Sequence, residues 1–155
     1  MKKIALLFVM AVLIIACKSS NSITANSYTQ EDEDEGIYDI PFAIIEQKPM
    51  FEACKDVDKN EQEHCFKQHL NEHIITHLRY PKRALRKGIQ EKVVVEFAIR
   101  KNGTVKVLEV IGTDKDLKAE AKFLIESLPC FIPALQRGKP IAVRFRCPIK
   151  FSLED

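Results

Sequence analysis

Four side chains able to bind a metal or share a proton recur at every fourth position: Cys65, His69, His73 and His77. On a helix this spacing makes one slowly drifting stripe, and imidazoles four residues apart can share a zinc ion. One straight helix, however, cannot place all four around a tetrahedral ion, and a thiol spent in a disulfide cannot ligate. The stripe is therefore expected to be a polar rim, with no metal and no cofactor. Nor does the chain carry the marks of an enzyme. It has no Gly-rich phosphate loop, Ser127 and Ser152 stand in no nucleophile motif, and no pair of carboxylates is spaced for acid–base work. No catalytic residue is expected. What remains with chemical promise is a set of five cysteines and the cations Arg144, Arg146 and Lys150 near the C-terminus.

The first cysteine has a distinctive setting. Met1-Lys2-Lys3 is a short positive start, followed by an unbroken apolar run from Ile4 to Ala16. As a helix that run reaches only about 20 Å, against roughly 30 Å for a bilayer core. It reads as the apolar part of a signal peptide over residues 1–16. Ile14-Ile15-Ala16-Cys17 resembles a bacterial lipobox. That resemblance implies a diacylglycerol on the Cys17 thiol, cleavage before it and acylation of the new amine. Several acyl chains give stable anchoring where one would be marginal. With the leader removed, 22 cations face 22 acidic residues. A neutral exported chain has no basic excess for nucleic acid, so that class of partner is excluded.

Residues 17–36 form the lipidated cysteine and a tether rich in Ser, Asn and Thr, ending in Glu31-Asp-Glu-Asp-Glu35. Such a stretch cannot bury enough apolar area to fold. Residues 37–155 are long enough for one domain with one core. Tyr38 to Ile45 is rich in strand formers, with Pro41 marking an edge or bulge. Pro49 to Val57 reads as a loop. Asp58 to Leu78 reads as a helix with Asp58 near its start and a stripe of Phe66, Leu70, Ile74 and Leu78. A short helical stretch, Lys82 to Lys87, closes at Gly88. Val93, Val95, Phe97 and Ile99 then alternate up to Asn102-Gly103, the strongest short hairpin signal, and a return strand runs from Thr104 to about Ile111. Thr113 and Asp116 resemble a capping box for a helix that buries Leu117, Ala121, Leu124 and Leu128.

The last strand alternates most cleanly. Ile141, Val143, Phe145, Cys147, Ile149 and Phe151 share one face, and Ala142, Arg144, Arg146, Pro148 and Lys150 share the other. Pro148 has no N–H, so a free edge is expected beside it. Apart from Cys17, four cysteines remain in an oxidising compartment, and three pairings are possible. Cys54 and Cys65 bracket one loop and a helix start. Cys130 and Cys147 are equidistant from Gly138-Lys139, so a symmetric hairpin there would set them opposite each other, within disulfide range. The expected bridges are Cys54–Cys65 and Cys130–Cys147. The expected fold class is α+β, a small antiparallel sheet with two helices packed on one face.

Tyr80-Pro81, Ala84, Gly88, Val93-Val-Val-Glu-Phe97, Ile99, Asn102-Gly103-Thr-Val105, Leu128-Pro129-Cys-Phe131-Ile-Pro133, Gly138-Lys139-Pro140 and Pro148-Ile149-Lys-Phe151, in this order, resemble the TonB C-terminal domain. Pro41-Phe42, Glu46, Pro49, Phe51-Glu-Ala-Cys54 and Cys65-Phe66 resemble its Bacteroidetes form, that of energy transducers. The resemblance spans about residues 37–151. Glu91 and Ala134 stand where the family usually has glycine. The chain also shows neither the retained membrane helix with its motor-contacting His nor the Pro-rich arm of the family's transducers. The resemblance implies a periplasmic binding module that takes the N-terminal box peptide of a TonB-dependent outer-membrane transporter as an added strand, in energy-coupled transport. Main-chain bonds would give affinity and alternate side chains selectivity. The expected partner-binding edge is Ile141, Val143, Arg144, Phe145, Arg146 and Lys150, with the cations steering an acidic peptide or simply guarding the edge from aggregation. The alternative is a structural envelope lipoprotein that uses the same fold to bind peptidoglycan or another envelope protein. Lys18 after the lipid-bearing cysteine, rather than an aspartate, favours the outer membrane for a periplasm-facing anchor.

Overall fold

The structure is a computed structural model that describes residues 37–38 and 44–153. The signal segment, Cys17 and the acidic tether lie outside the described residues. Among the described residues no helix is long and apolar enough to cross a membrane.

Strand β1 is Ile37–Tyr38, and a 3-10 turn covers Glu52–Cys54. Helices α1 (Gln62–His77) and α2 (Lys82–Arg86) follow. The hairpin β2 (Glu91–Ile99) and β3 (Val105–Ile111) leads to α3 (Lys115–Glu126). The chain closes with β4 (Ala134–Gln136) and β5 (Lys139–Phe151). The sheet runs β1-β5-β2-β3, with β4 paired to β5. All pairings are antiparallel except that of β1 with β5, which is parallel. The fold is α+β, with the helices on one face of the sheet.

That arrangement follows from period. Val93, Val95, Phe97 and Ile99 of β2 and Ile149 and Phe151 of β5 are at most 2% exposed. They meet Phe66 of α1 and Leu117, Ala121, Leu124 and Ile125 of α3 in one core. Leu70, Ile74 and Leu78 pack against its margin. At the β2–β3 turn, Gly103 has φ +81°, and a Cβ there would stand 2.0 Å from the Phe131 carbonyl oxygen. Only glycine permits both the left-handed backbone and the close pass of Phe131, whose N–H bonds to the Gly103 carbonyl at 2.9 Å.

Several boundaries differ from the sequence expectation. Helix α1 begins at Gln62, four residues later than expected, and Asp58 bonds to Glu61 and Gln62 through its main-chain carbonyl. The cap of α3 is Asp114, whose carboxylate accepts from the N–H groups of Asp116 and Leu117. Thr113 instead donates its hydroxyl and N–H to Glu91, which also takes the Asp114 N–H at 2.9 Å. Glu91, unexpected before a hairpin strand, thus ties β2 to the start of α3. The expected strand from Tyr38 to Ile45 lies largely outside the described residues; Ile45 itself is in no strand, and beyond it Gln47 and Met50 form isolated antiparallel bridges to Leu135 and Ile132.

Cys54 and Cys65 are joined by a disulfide with Cα atoms 6.0 Å apart. The expected bridge between Cys130 and Cys147 is not formed: Cys147 is a free, buried thiol. Cys130 is itself disulfide-bonded, and register keeps it away from Cys147. The β4–β5 turn is Arg137-Gly138, both at positive φ (52° and 70°), one residue earlier than Gly138-Lys139. With Ala134 opposite Ile141 and Gln136 opposite Lys139, extension of the hairpin brings Cys130 level with Phe145. Cys147 lies opposite Val95 of β2, and burial pushes its thiol up to about 11.

Candidate functional site

Strand β5 spans the domain and its two edges differ. One pairs continuously with β2, from Val143 opposite Ile99 to Phe151 opposite Glu91. Elsewhere β5 meets β4 over Lys139–Ile141 and β1 at Ala142 and Val143. From Arg144 to Phe151 no second strand pairs with β5 among the described residues. Pro148 sits within the β2–β5 ladder, opposite Val94. With no N–H to give, its nitrogen is tolerated only if it turns away from β2. By the strand's period of two, the main-chain groups of Arg144, Arg146 and Lys150 then point the same way, to the open edge.

The side chains of this strand divide by parity. Ile141 and Val143 are buried. The Phe145 ring stacks with Phe97 and Phe66, each at 5.4 Å between centroids. These three anchor the strand and offer no side chain to a partner. Arg144, Arg146 and Lys150 are exposed on the opposite face. The two arginines are nevertheless engaged. Glu96 of β2, 6% exposed and directly opposite Arg146, takes the Arg146 Nε at 2.9 Å and a second bond from its Nη2. Arg144 Nη1 stands 3.7 Å from the other carboxylate oxygen. A nearly buried carboxylate holding two guanidiniums draws both towards the β2 seam, away from the open edge. This narrows the picture of free steering cations. Lys150 lies across from Lys92, both exposed, and they keep that end of the edge basic. Glu96 was not singled out by the sequence reading. Its signal was there: a lone carboxylate on the polar face of a central strand, with two arginines on the polar face of another.

Two histidines of the stripe are engaged with main-chain carbonyls. His73 Nε2 lies 3.1 Å from both the Leu124 carbonyl and the Ser127 hydroxyl. A carbonyl only accepts, so this nitrogen donates, and the Ser127 hydroxyl gives its own proton to Leu124 at 2.9 Å. The pair caps α3 and has no base to activate a nucleophile. Burial holds the His73 pKa below its ordinary value, opposed by the Leu124 bond and helped by His77. His77 Nδ1 donates to the His73 carbonyl at 2.8 Å. Only His69 turns elsewhere, with Nδ1 3.4 Å from Glu72.

Among curated proteins none matches this chain. Two solved structures of the Helicobacter pylori TonB-CTD are similar to it. One, of residues 179–285, is 27% identical, with 66% of this chain and 91% of that one covered and a TM-score of 0.43. The other, of residues 194–285, is 29% identical, with 57% and 95% covered and a TM-score of 0.41. Residues 76–153 match the family described as Gram-negative bacterial TonB protein C-terminal. That match takes in α2, the β2–β3 hairpin, α3, β4 and β5, the strand with the open edge. The chain belongs to the TonB C-terminal domain family.

Proposed function

We propose that this domain is a periplasm-facing binding module that takes the N-terminal box peptide of a TonB-dependent outer-membrane transporter as an added strand, in energy-coupled transport. The observation that carries the reading is the outer edge of β5. It is open from Arg144 to Phe151 among the described residues, and one step upstream it already accepts a strand, β1, in parallel at Ala142 and Val143. Strand addition draws affinity from main-chain groups and leaves side chains to select. The tether of Arg144 and Arg146 to Glu96 fits this division, since two long side chains held on the β2 side leave the main chain of β5 accessible. No catalytic step belongs to this reading, and no cofactor.

Lipidation at Cys17 is part of the proposal, with the outer membrane as the anchoring site. The tether from Cys17 to residue 36 then extends at most about 70 Å, enough to present the edge to a transporter's periplasmic face. The test is a titration of the isotope-labelled chain with box peptides, followed by amide NMR. The expected result is shifts concentrated on residues 144–151. Shifts spread elsewhere, or none at millimolar peptide, would overturn the reading. A structural lipoprotein bound to peptidoglycan or another envelope protein would then lead.

A further inference from the structure

Away from the open edge, three soft or borderline donors converge. The sulfur atoms of Cys54 and Cys65 and a ring nitrogen of His69 all lie within 4.8 Å of one another. We propose that reduction of the Cys54–Cys65 disulfide converts this cluster into a metal site for one zinc-class divalent ion, held by two thiolates and the His69 imidazole with water in the fourth place. Cys65 and His69 are one turn apart on the same face of α1, so the helix fixes their separation. Cys54 comes from the 3-10 turn that faces them. A tetrahedral ion with bonds of about 2.3 Å sets two sulfurs about 3.8 Å apart, a spread that side-chain rotation can supply. The Cα separation of 6.0 Å leaves room for it.

The imidazole is already oriented. Its Nδ1 faces the Glu72 carboxylate at 3.4 Å, one turn further along α1, and its ring lies against Phe51 at 5.6 Å. A carboxylate beside one ring nitrogen would leave the other for the metal and raise its basicity. His73 and His77 do not compete, because each has spent a nitrogen on a carbonyl. Cys54 is fully buried whereas Cys65 and His69 are partly exposed, so entry and the water position are on the solvent side of α1. Two sulfurs and one imidazole suit zinc and exclude the hard oxygen-seeking ions.

The chemistry balances. A protein dithiol of the thioredoxin-like class gives two electrons and two protons to the S–S bond and leaves as its own disulfide. The ion then displaces the two thiol protons as it binds. Either state clamps the loop before α1 to the helix. The inference is independent of strand addition.

The test uses the full chain, oxidised and after reduction with a phosphine, titrated with Co²⁺ and then with Zn²⁺. The expected result is one equivalent of Co²⁺ in the reduced protein, with thiolate charge-transfer and tetrahedral ligand-field bands that Zn²⁺ displaces. Oxidised protein should show none. His69→Ala should lose the tetrahedral bands, and Glu72→Gln should weaken zinc affinity about 10-fold, while both remain folded because Glu72 is exposed and His69 only partly buried. Reduced protein that binds no metal, folded or not, would overturn the proposal. So would bands in the oxidised protein or bands unchanged in His69→Ala.

Discussion

Glu96 shows how one side chain sets the character of a surface. It is nearly buried, yet a carboxylate is stable there because Arg146 and Arg144 neutralise it from the solvent side. The edge that a partner meets is therefore less cationic than the sequence implies. Glu96→Gln frees both arginines and should make the binding of an acidic peptide measurably more salt-dependent, by about two ionic contacts in a log–log plot of affinity against salt. An unchanged slope would show that the arginines were never held. Asp114 offers a second test at this scale. The Arg83 guanidinium beside it, together with the N–H groups of Leu117 and Asp116, holds its carboxyl below the usual range against the opposing effect of burial. A depressed carboxylate contributes stability that is present above about pH 3.9 and is lost as pH falls through the folded value. The Asp114 carboxyl carbon should accordingly titrate below 3.9 by NMR, and Arg83→Met should move the midpoint upward. A midpoint at or above 3.9 in the unsubstituted chain would contradict the ion pair.

Among the elements, those with a complete period were legible in the sequence and those decided by a single backbone angle were not. The β2 and β5 alternations lie on the expected faces, since burying one face leaves no second register, and Leu117, Ala121 and Leu124 of α3 are buried as expected, with Leu128 buried just past the helix end. The β4–β5 turn carries a weaker signal. Arg137 takes φ 52°, a left-handed position that its side chain does not announce. Placing the turn one residue late shifts the cross-strand partner by two, which takes Cys130 out of line with Cys147; Cys130 is itself disulfide-bonded, while Cys147 is free. The start of α1 was likewise ambiguous, because Asp58 and Glu61 both suit a first turn and neither makes a side-chain cap bond. The other turn is better determined. Gly103→Ala should cost about 2 kcal/mol or more, since it adds both a positive-φ strain and a clash with a main-chain oxygen. Urea unfolding would measure it, and a loss under about 0.5 kcal/mol would mean that the Phe131 segment can move away.

For the molecule as a whole, the layers and the family were legible in the sequence, and the structure added what flanks β5. Nothing in Ile37-Tyr38 announces a parallel pairing with Ala142-Val143, because a two-residue strand has no period to read. The candidate site was legible as a strand and not as a set of side chains. Ile141, Val143 and Phe145 belong to the core, and the arginines to Glu96. What an incoming strand can use is the main chain. Amide hydrogen exchange in the presence and absence of box peptide, read residue by residue along β5, tests it most directly. Strand addition predicts a period of two: the amides of Arg146 and Lys150 gain protection, while those of Phe145, Cys147 and Ile149, already bonded to β2, change little. Uniform protection along the strand, or none at the outward amides despite binding, would contradict it.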